Sequence, residues 1–392
     1  MRHKLLGPCE EGCIGAMYTG KPRRGIEQLA VLLVLFFTVG CSTSGQYRTY
    51  WGDVHGHTSI SDGTGSLDDY FRYARDVSKL DFVIVSDHDF GNAAPWHMPR
   101  DQWLLTQDKA DEYTVKGEFV GVAGYEWTSQ SKYWTPQEPL FDGPQRYYNH
   151  KNVYFSSRVD YLFSAKNAAF NSPNLLAQEV LKHNGLIHNN HPDSGLEGKD
   201  QFEYDRSYDD VIVNTELWPD AVLYQGKTYN VNGEKQVQEF LKKGGRTGFV
   251  RGSDTHEGKP AARTAVLATE LTRAAIFDAL GHRRNYAISH ARILLDFRIN
   301  GHFMGEEIES EGKPRLSVTV KGTDTIEEIV VVRDGSIALS LFPKAKDYQF
   351  EYVDESFADG SYYYVRATQV DTDEHGNHSC AWSSPIWVED KK

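Results

Sequence analysis

Two histidines one residue apart, His55 and His57, lie where a short strand-like run, Tyr50–Val54, passes into a Ser/Asp/Gly turn that carries Asp62. Side chains two apart on a strand project from one face, so the pair and the turn offer two imidazoles and a carboxylate, half of a metal site. A His-x-His pair also arises from plain polar alternation, and it gains meaning here because the pattern recurs. Val83-Ile84-Val85 runs through Ser86-Asp87 into His88. Gly124-Tyr125 ends at Glu126. Leu186-Ile187-His188 leads through Asn189-Asn190 to His191-Pro192, and Phe249-Val250 leads through Arg251-Gly252-Ser253 to Asp254 and His256. Imidazole with carboxylate is a donor set for zinc, manganese or iron. A divalent ion on such a set can activate water.

These residues need elements that deliver them to one place. From Tyr50 to about His290 apolar strand-like runs alternate with helical stretches, a rhythm that predicts parallel strands with crossover helices. The strands expected are 50–54, 81–86, 119–125, 151–155, 185–189, 211–215, 247–250 and 285–289. Helices are expected over 66–78, 172–182, 234–243 and 272–281, with Ser66 and Ser172 at N-cap positions and Gly244-Gly245 past a C-terminus. Strands in this rhythm suggest a barrel, and a parallel barrel brings strand C-termini to one mouth. After His290 the texture turns to strands and turns: 293–299, 315–321, 326–333, 348–353 and 362–370, with Asp334-Gly335 and Asp359-Gly360 as turn signals. This predicts a small antiparallel β-sandwich.

With 392 residues, 40% hydrophobic and 12% aromatic, the chain can fill sizeable cores. Its net charge of −13 argues against a nucleic-acid partner, which requires clustered Lys and Arg. Lys21, Arg23 and Arg24 precede an apolar run, Leu29–Val39, that ends in Gly40-Cys41-Ser42. The run has the length and basic flank of a signal-peptide core, and it resembles a bacterial lipoprotein signal with Cys41 as the lipidated residue. The expectation is export, with a lipid anchor as the sole membrane attachment, at the periplasmic face of the outer membrane or the cell surface. Cys9 and Cys13, ahead of the signal, are not read as a metal pair.

His55-Gly-His57-Thr-Ser-Ile-Ser-Asp62-Gly, Ser-Asp-His88-Asp, His191-Pro and Gly-Ser-Asp254-Thr-His256 resemble the motifs of the PHP (polymerase and histidinol phosphatase) metallohydrolase superfamily, over about Tyr50 to His256. Tyr286-Ala-Ile-Ser-His290-Ala-Arg-Ile and Ala381-Trp382-Ser-Ser-Pro-Ile-Trp387 look like a bacterial branch with a β-rich tail, related to carbamate-hydrolysing members. The resemblance implies an α/β fold, a distorted (β/α)7 barrel over 50–291, followed by the β-sandwich over 292–392. Ahead of these lie a signal peptide with lipobox (1–41) and a tether (42–49). It implies two or three divalent ions (Zn, Mn or Fe): one on His55, His57, Glu126 and Asp254; a second sharing Glu126 and adding His150 and His191; a third on Asp62, His88 and His256. His188 competes with His191 for the third motif, and Pro192 favours His191.

The activity implied is an exported metal-dependent hydrolase, a phosphoesterase whose metal-bridging hydroxide attacks a small-molecule or oligomeric ester. The alternatives are an aryl ester, carbamate or amide hydrolase on the same centre, or a non-enzymatic surface-binding lipoprotein. Besides Glu126, catalytic roles are expected for Arg251, as an oxyanion grip or else an internal salt bridge, and for His290, as an acid or substrate contact. Trp96, Trp127 and Trp134 are candidate walls for an aromatic pocket, although loop packing is the plainer reading.

Overall fold

A computed structural model describes residues 47–89, 98–129, 148–192, 200–203, 205–219, 221–224, 227–230 and 233–391. The signal segment, Cys41, most of the tether, Trp96 and Trp134 lie outside the described residues. The first strands are β1 (Arg48–Asp53), β2 (Phe82–Val85), β3 (Val120–Thr128), β4 (His150–Phe155), β5 (Gly185–Asn189) and β6 (Ile212–Glu216). A hairpin, β7 (Ala221–Tyr224) with β8 (Lys227–Asn230), precedes β9 (Gly248–Val250), β10 (Thr264–Ala268) and β11 (Asn285–Ile288). The helices are α1 (Leu67–Arg72, extended by a π-helical turn to Val77), α2 (Arg100–Tyr113), α3 (Pro173–Lys182), α4 (Gly233–Lys242) and α5 (Arg273–Gly281). Among the described residues no helix is long and apolar enough to cross a membrane.

Local chemistry accounts for these boundaries. Ser66 caps α1 by accepting from the Asp69 amide at 3.2 Å, while the Asp69 carboxylate accepts from the Ser66 amide, a closed capping box. Ser172 and Thr272 cap α3 and α5 by accepting from the amides of Leu175 and Ala275, without the reciprocal bond. Past α4, Gly244 takes φ +91°, a left-handed conformation that glycine adopts without a Cβ penalty. The β2 side chains Phe82, Val83, Ile84 and Val85 are all 0% exposed, as expected of a strand covered on both faces. Full burial of each is worth roughly 1.5–3 kcal/mol.

β1, β2 and β3 pair in parallel, as do β5, β6 and β9. Between the two sets β4 runs antiparallel to both β3 and β5. The expected distorted (β/α)7 barrel is therefore corrected: the fold is α/β, but the sheet is mixed and open. The edge that β1 would need for closure is occupied by β10, antiparallel over Arg48–Gly52. The residues beyond β1 reach across to the end of β9 through an isolated bridge between Gly56 and Thr255 and the bond His57 N to Thr255 O at 2.9 Å.

The C-terminal strands are β12 (Leu294–Ile299), β13 (His302–Phe303), β14 (Glu307–Ser310), β15 (Arg315–Arg333), β16 (Ser336–Leu341), β17 (Ala345–Val353), β18 (Ser361–Thr372), β19 (His378–Ser383) and β20 (Ile386–Asp390). They are antiparallel except for β14 with β20. β15 is one bent strand where two were expected; its first half pairs with β12 and β17, its second with β16 and β18. Asp334 and Gly335, both at positive φ, turn β15 into β16. β19 also pairs with β11, so these strands continue the hydrogen bonding of the first sheet, and the described residues belong to one compact unit.

Candidate metal centre

β1 delivers Val54-His55-Gly56-His57 past its end, where both imidazoles are 0% exposed. Asp254 reaches them from beyond β9. Its backbone adopts φ 50°, a left-handed conformation that Asp tolerates better than most residues, and its amide donates to His55 O at 3.0 Å. Asp254 Oδ1 lies 3.2 Å from His55 Nε2, 3.0 Å from His57 Nε2 and 3.5 Å from His256 Nε2. Gly252 makes room for this packing: a Cβ there would stand 2.1 Å from His55 Cβ and 2.6 Å from Glu216 Oε1.

Glu126, near the end of β3, is the hub. Its Oε1 sits 2.6 Å from His150 Nδ1, 3.3 Å from His191 Nε2 and 2.7 Å from Asn190 Nδ2, which donates to it. Its Oε2 lies 3.0 Å from His88 Nδ1, 3.3 Å from His57 Nε2 and 3.5 Å from His55 Nε2. The reversal of β4 explains why His150, the first residue of its strand, belongs to this group. Pairing His150 with Thr128 and Lys151 with Asn189 puts the start of β4 beside the ends of β3 and β5. Asp62 completes the rim, its Oδ1 3.3 Å from His256 Nδ1, 3.7 Å from His88 Nε2 and 3.8 Å from His57 Nδ1. The structure thus brings His55, His57, Asp62, His88, Glu126, His150, His191, Asp254 and His256 into one cluster.

Whether these residues suit a cation can be judged from two buried atoms. His55 Nε2 and Glu126 Oε2 have no hydrogen-bond partner, although ring nitrogens and carboxylate oxygens crowd around them at 3.0–3.5 Å. Lone pairs that converge without bonding one another need a cation between them. Ligand atoms within 4.8 Å of one another occur in the sets His55/His57/Asp254, His55/Glu126/His191, His57/His88/Glu126 and His57/Asp62/His256. His57 groups with Asp62 and His256 where His88 was expected, while His88 groups with His57 and Glu126. Imidazole and carboxylate donors in these numbers fit zinc, manganese or iron.

The charges respond to the same crowding. Burial works against the carboxylates, yet the neighbouring imidazoles hold both Glu126 and Asp254 well below the usual range. Burial also disfavours charge on His55 and His256, but Asp254 with Glu216 and Glu126 lifts the first well above its ordinary value, and Asp254 with Asp62 lifts the second to about 10. Burial wins at His88, which falls to about 3.

Glu216, at the end of β6, was missed in the sequence. It is 0% exposed; Oε1 lies 3.0 Å from His55 Nδ1 and 3.5 Å from His188 Nε2, and Oε2 accepts from the His191 amide at 2.7 Å and from Trp218 Nε1 at 2.8 Å. A carboxylate only accepts, so His55 Nδ1 carries the proton and Nε2 presents its lone pair to the cluster. His188 lies behind the centre, on β5 against Glu216, and with His55 and Glu216 forms a further close set of donor atoms. The signal for Glu216 was an apolar strand running into a carboxylate, the same signal as at Glu126. Asp87 has a supporting part too, accepting from the amides of Thr58 and Ser61 and from both hydroxyls, which pins the loop after His57.

Other expectations are redirected. Arg251 makes no internal salt bridge among the described residues; it bonds main-chain carbonyls of Ile288 and Ser289. His290 bonds Ser379 and lies outside the cluster. Trp127 is 0% exposed with its indole N–H on Phe170 O, so it is core and not pocket wall.

Residues 219–320 match the model of a family of unknown function, DUF3604. An uncharacterized protein of Chlamydia trachomatis is 25% identical over 391 residues, covering 90% of this chain and 59% of that protein. An uncharacterized Chlamydia pneumoniae protein is 24% identical with the same coverage. The chain therefore spans about three fifths of the length of these relatives. Among solved structures, a two-domain protein from Bacteroides vulgatus containing a predicted PHP-like metal-dependent phosphoesterase aligns at a TM-score of 0.43 and 16% identity, over 88% of this chain and 96% of that one. Fibronectin(III)-like modules of Clostridium thermocellum CbhA align over 24% of this chain and 99% of theirs, at a TM-score of 0.17 and 14% identity.

Proposed function

We propose that this chain is a metal-dependent hydrolase acting on phosphoesters, with divalent ions held by His55, His57, Asp62, His88, Glu126, His150, His191, Asp254 and His256. The reading rests on one observation: His55 Nε2 and Glu126 Oε2, buried and unpartnered, face each other at 3.5 Å amid further lone pairs. A divalent ion bound here supplies Lewis acidity and makes water a competent nucleophile near neutral pH. The chain's own residues hold the ligand atoms in place. Glu216 sets the ring of His55, Thr128 Oγ1 contacts His88 Nδ1 at 2.8 Å, and Asn190 and His150 engage Glu126 Oε1 so that Oε2 is left for the cation. Ser61, a conceivable nucleophile, has its hydroxyl committed to Asp87.

The test is hydrolysis of a panel of phosphomonoesters, phosphodiesters and neutral aryl esters or carbamates, before and after chelation and on return of manganese or zinc. Phosphoester turnover lost on chelation and restored by metal is expected. Turnover of neutral esters alone would reject the phosphoester assignment, and turnover that survives loss of all metal would reject the metal-dependent one. We also propose export as a lipoprotein through Cys41, on the strength of the basic and apolar pattern of residues 21–42. Membrane retention of a Cys41→Ala protein would contradict it.

A further inference from the structure

Two guanidinium groups lie beside the metal cup, each with a buried Nε–H that has no hydrogen-bond partner. Arg251 is 8% exposed; it gives Nη1 to the carbonyls of Ile288, at 3.4 Å, and Ser289, and stacks over the Trp218 ring at 5.4 Å. Its Nε is buried without a partner. Arg263, partly buried, has the Ala262 carbonyl on Nη1 at 3.4 Å, and its Nε is likewise buried without a partner. Among the described residues neither Arg forms an ion pair, and the two are close enough to repel each other. The Asp53 carboxylate, which attracts both, is occupied by the amides of His55, Ser253 and Ala261. Glu216 and Asp373 attract Arg251, and Asp373 attracts Arg263, without forming an ion pair, so the two buried Nε–H groups still lack an acceptor, which an anionic oxygen would supply.

His290, just past β11, lies near the carboxylates of Asp373 and Asp371 as well as the two guanidiniums. Ser379 of β19 holds it: Oγ lies 2.6 Å from His290 Nε2 and 2.5 Å from Asp371 Oδ2. Since the carboxylate only accepts, Ser379 donates to Asp371 and accepts from His290 Nε2–H. That leaves the His290 Nδ1 lone pair buried and unpartnered, an acceptor and not a donor for an anion. The metal centre is one residue away from Arg251, through Gly252, and Trp218 links the two by donating to Glu216 at 2.8 Å.

We propose that Arg251 and Arg263 form an anion subsite beside the metal centre that holds an anionic oxygen group of the substrate, phosphate or carboxylate. Guanidinium forks match both oxyanions, and burial strengthens each contact. The consequence for substrate, an ester with a negative charge close to the scissile bond, rests on the hydrolase reading; the binding of the anion does not.

The experiment is calorimetric titration of inorganic phosphate, and separately of malonate, into the full chain both metal-loaded and chelated. Wild type, Arg251→Gln and Arg263→Gln are compared, with metal content measured for each. Chelated wild type should bind at least one of the two anions, and the tighter one names the group. Each substitution should weaken that binding by about tenfold or more, the loss expected for a charge-assisted contact, with metal content unchanged. Should Arg251→Gln fail to fold, Arg263→Gln, at a more exposed site, decides alone, and Arg263→Lys should regain part of the affinity. Absence of binding to chelated wild type, or unchanged affinity in Arg263→Gln, overturns the subsite. Arg-dependent binding in a protein that turns over no ester keeps the subsite and removes the hydrolase reading. Ester turnover with both Arg variants behaving as wild type does the reverse.

Discussion

Replacing Glu216 by Gln should weaken metal binding without touching a ligand of the expected set. The carboxylate is fully buried, with one oxygen 3.0 Å from His55 Nδ1 and the other accepting from the His191 amide and Trp218 Nε1. Glutamine has the same shape but one acceptor oxygen. The two N–H donors from His191 and Trp218 claim that oxygen, which turns the amide nitrogen toward His55. His55 Nδ1 must then accept, so its proton moves to Nε2, the atom that faces the cluster, and the ligand lone pair is lost. Partners of this kind are worth about 10–100-fold in metal affinity, roughly 1.4–2.7 kcal/mol. Competition with a fluorescent zinc chelator measures the change, and a thermal melt of the chelated protein shows whether the fold has held. Affinity within about twofold of wild type would refute the claim that Glu216 sets the His55 tautomer.

The pH dependence of the chelated protein should show a stability maximum. His88 binds its proton less readily folded, at about 3, than its ordinary value of 6.5, so the stability it confers is full above 6.5 and is lost as pH falls below it. His256 is raised to about 10, so its contribution is full below 6.5 and is lost as pH rises through 10. Melting temperatures across pH 5 to 10 should therefore peak at about 6–7, and a monotonic rise to alkaline pH would contradict this. Gly252→Ala should strip the centre, since its Cβ would stand 2.1 Å from His55 Cβ; wild-type metal content in that variant would show that the loop can yield. Lys151 is 1% exposed, and burial pulls its ammonium down to about 7, yet Nζ donates to the carbonyls of Tyr148, Gln201 and His150 at 2.8, 3.0 and 3.3 Å. Lys151→Met would strand those acceptors and should cost about 3 kcal/mol by urea denaturation, with a loss under about 1 kcal/mol arguing that they find other donors.

The strand ends were legible because each is an apolar run that stops at a polar ligand-type side chain, a local signal. Glu216 escaped because the run was ended at Thr215, one residue early. The direction of β4 was not legible: its residues read the same in either sense, and its reversal shows only in the pairing with β3 and β5. Helix α2 was missed because its buried positions, Trp103, Thr106, Gln107 and Ala110, have helical spacing but include two polar residues. Gln107 faces inward because it exchanges hydrogen bonds with the backbone of Val159. β10, with the short sequence Thr-Ala-Val-Leu-Ala, was missed too, and with it the occupied edge of β1 that leaves the sheet open. Tertiary pairing, which propensity and periodicity do not encode, decided these cases.

Metal analysis of the full chain purified without chelator tests the central claim most directly, alongside the same preparation of Glu126→Ala. Glu126 touches ring nitrogens of His55, His57, His88, His150 and His191 through its two oxygens, so its removal should empty the centre. The account predicts about two or more divalent ions per wild-type chain and a loss of at least two in the variant. Less than about one ion in wild type, or equal content in the two proteins, would contradict it.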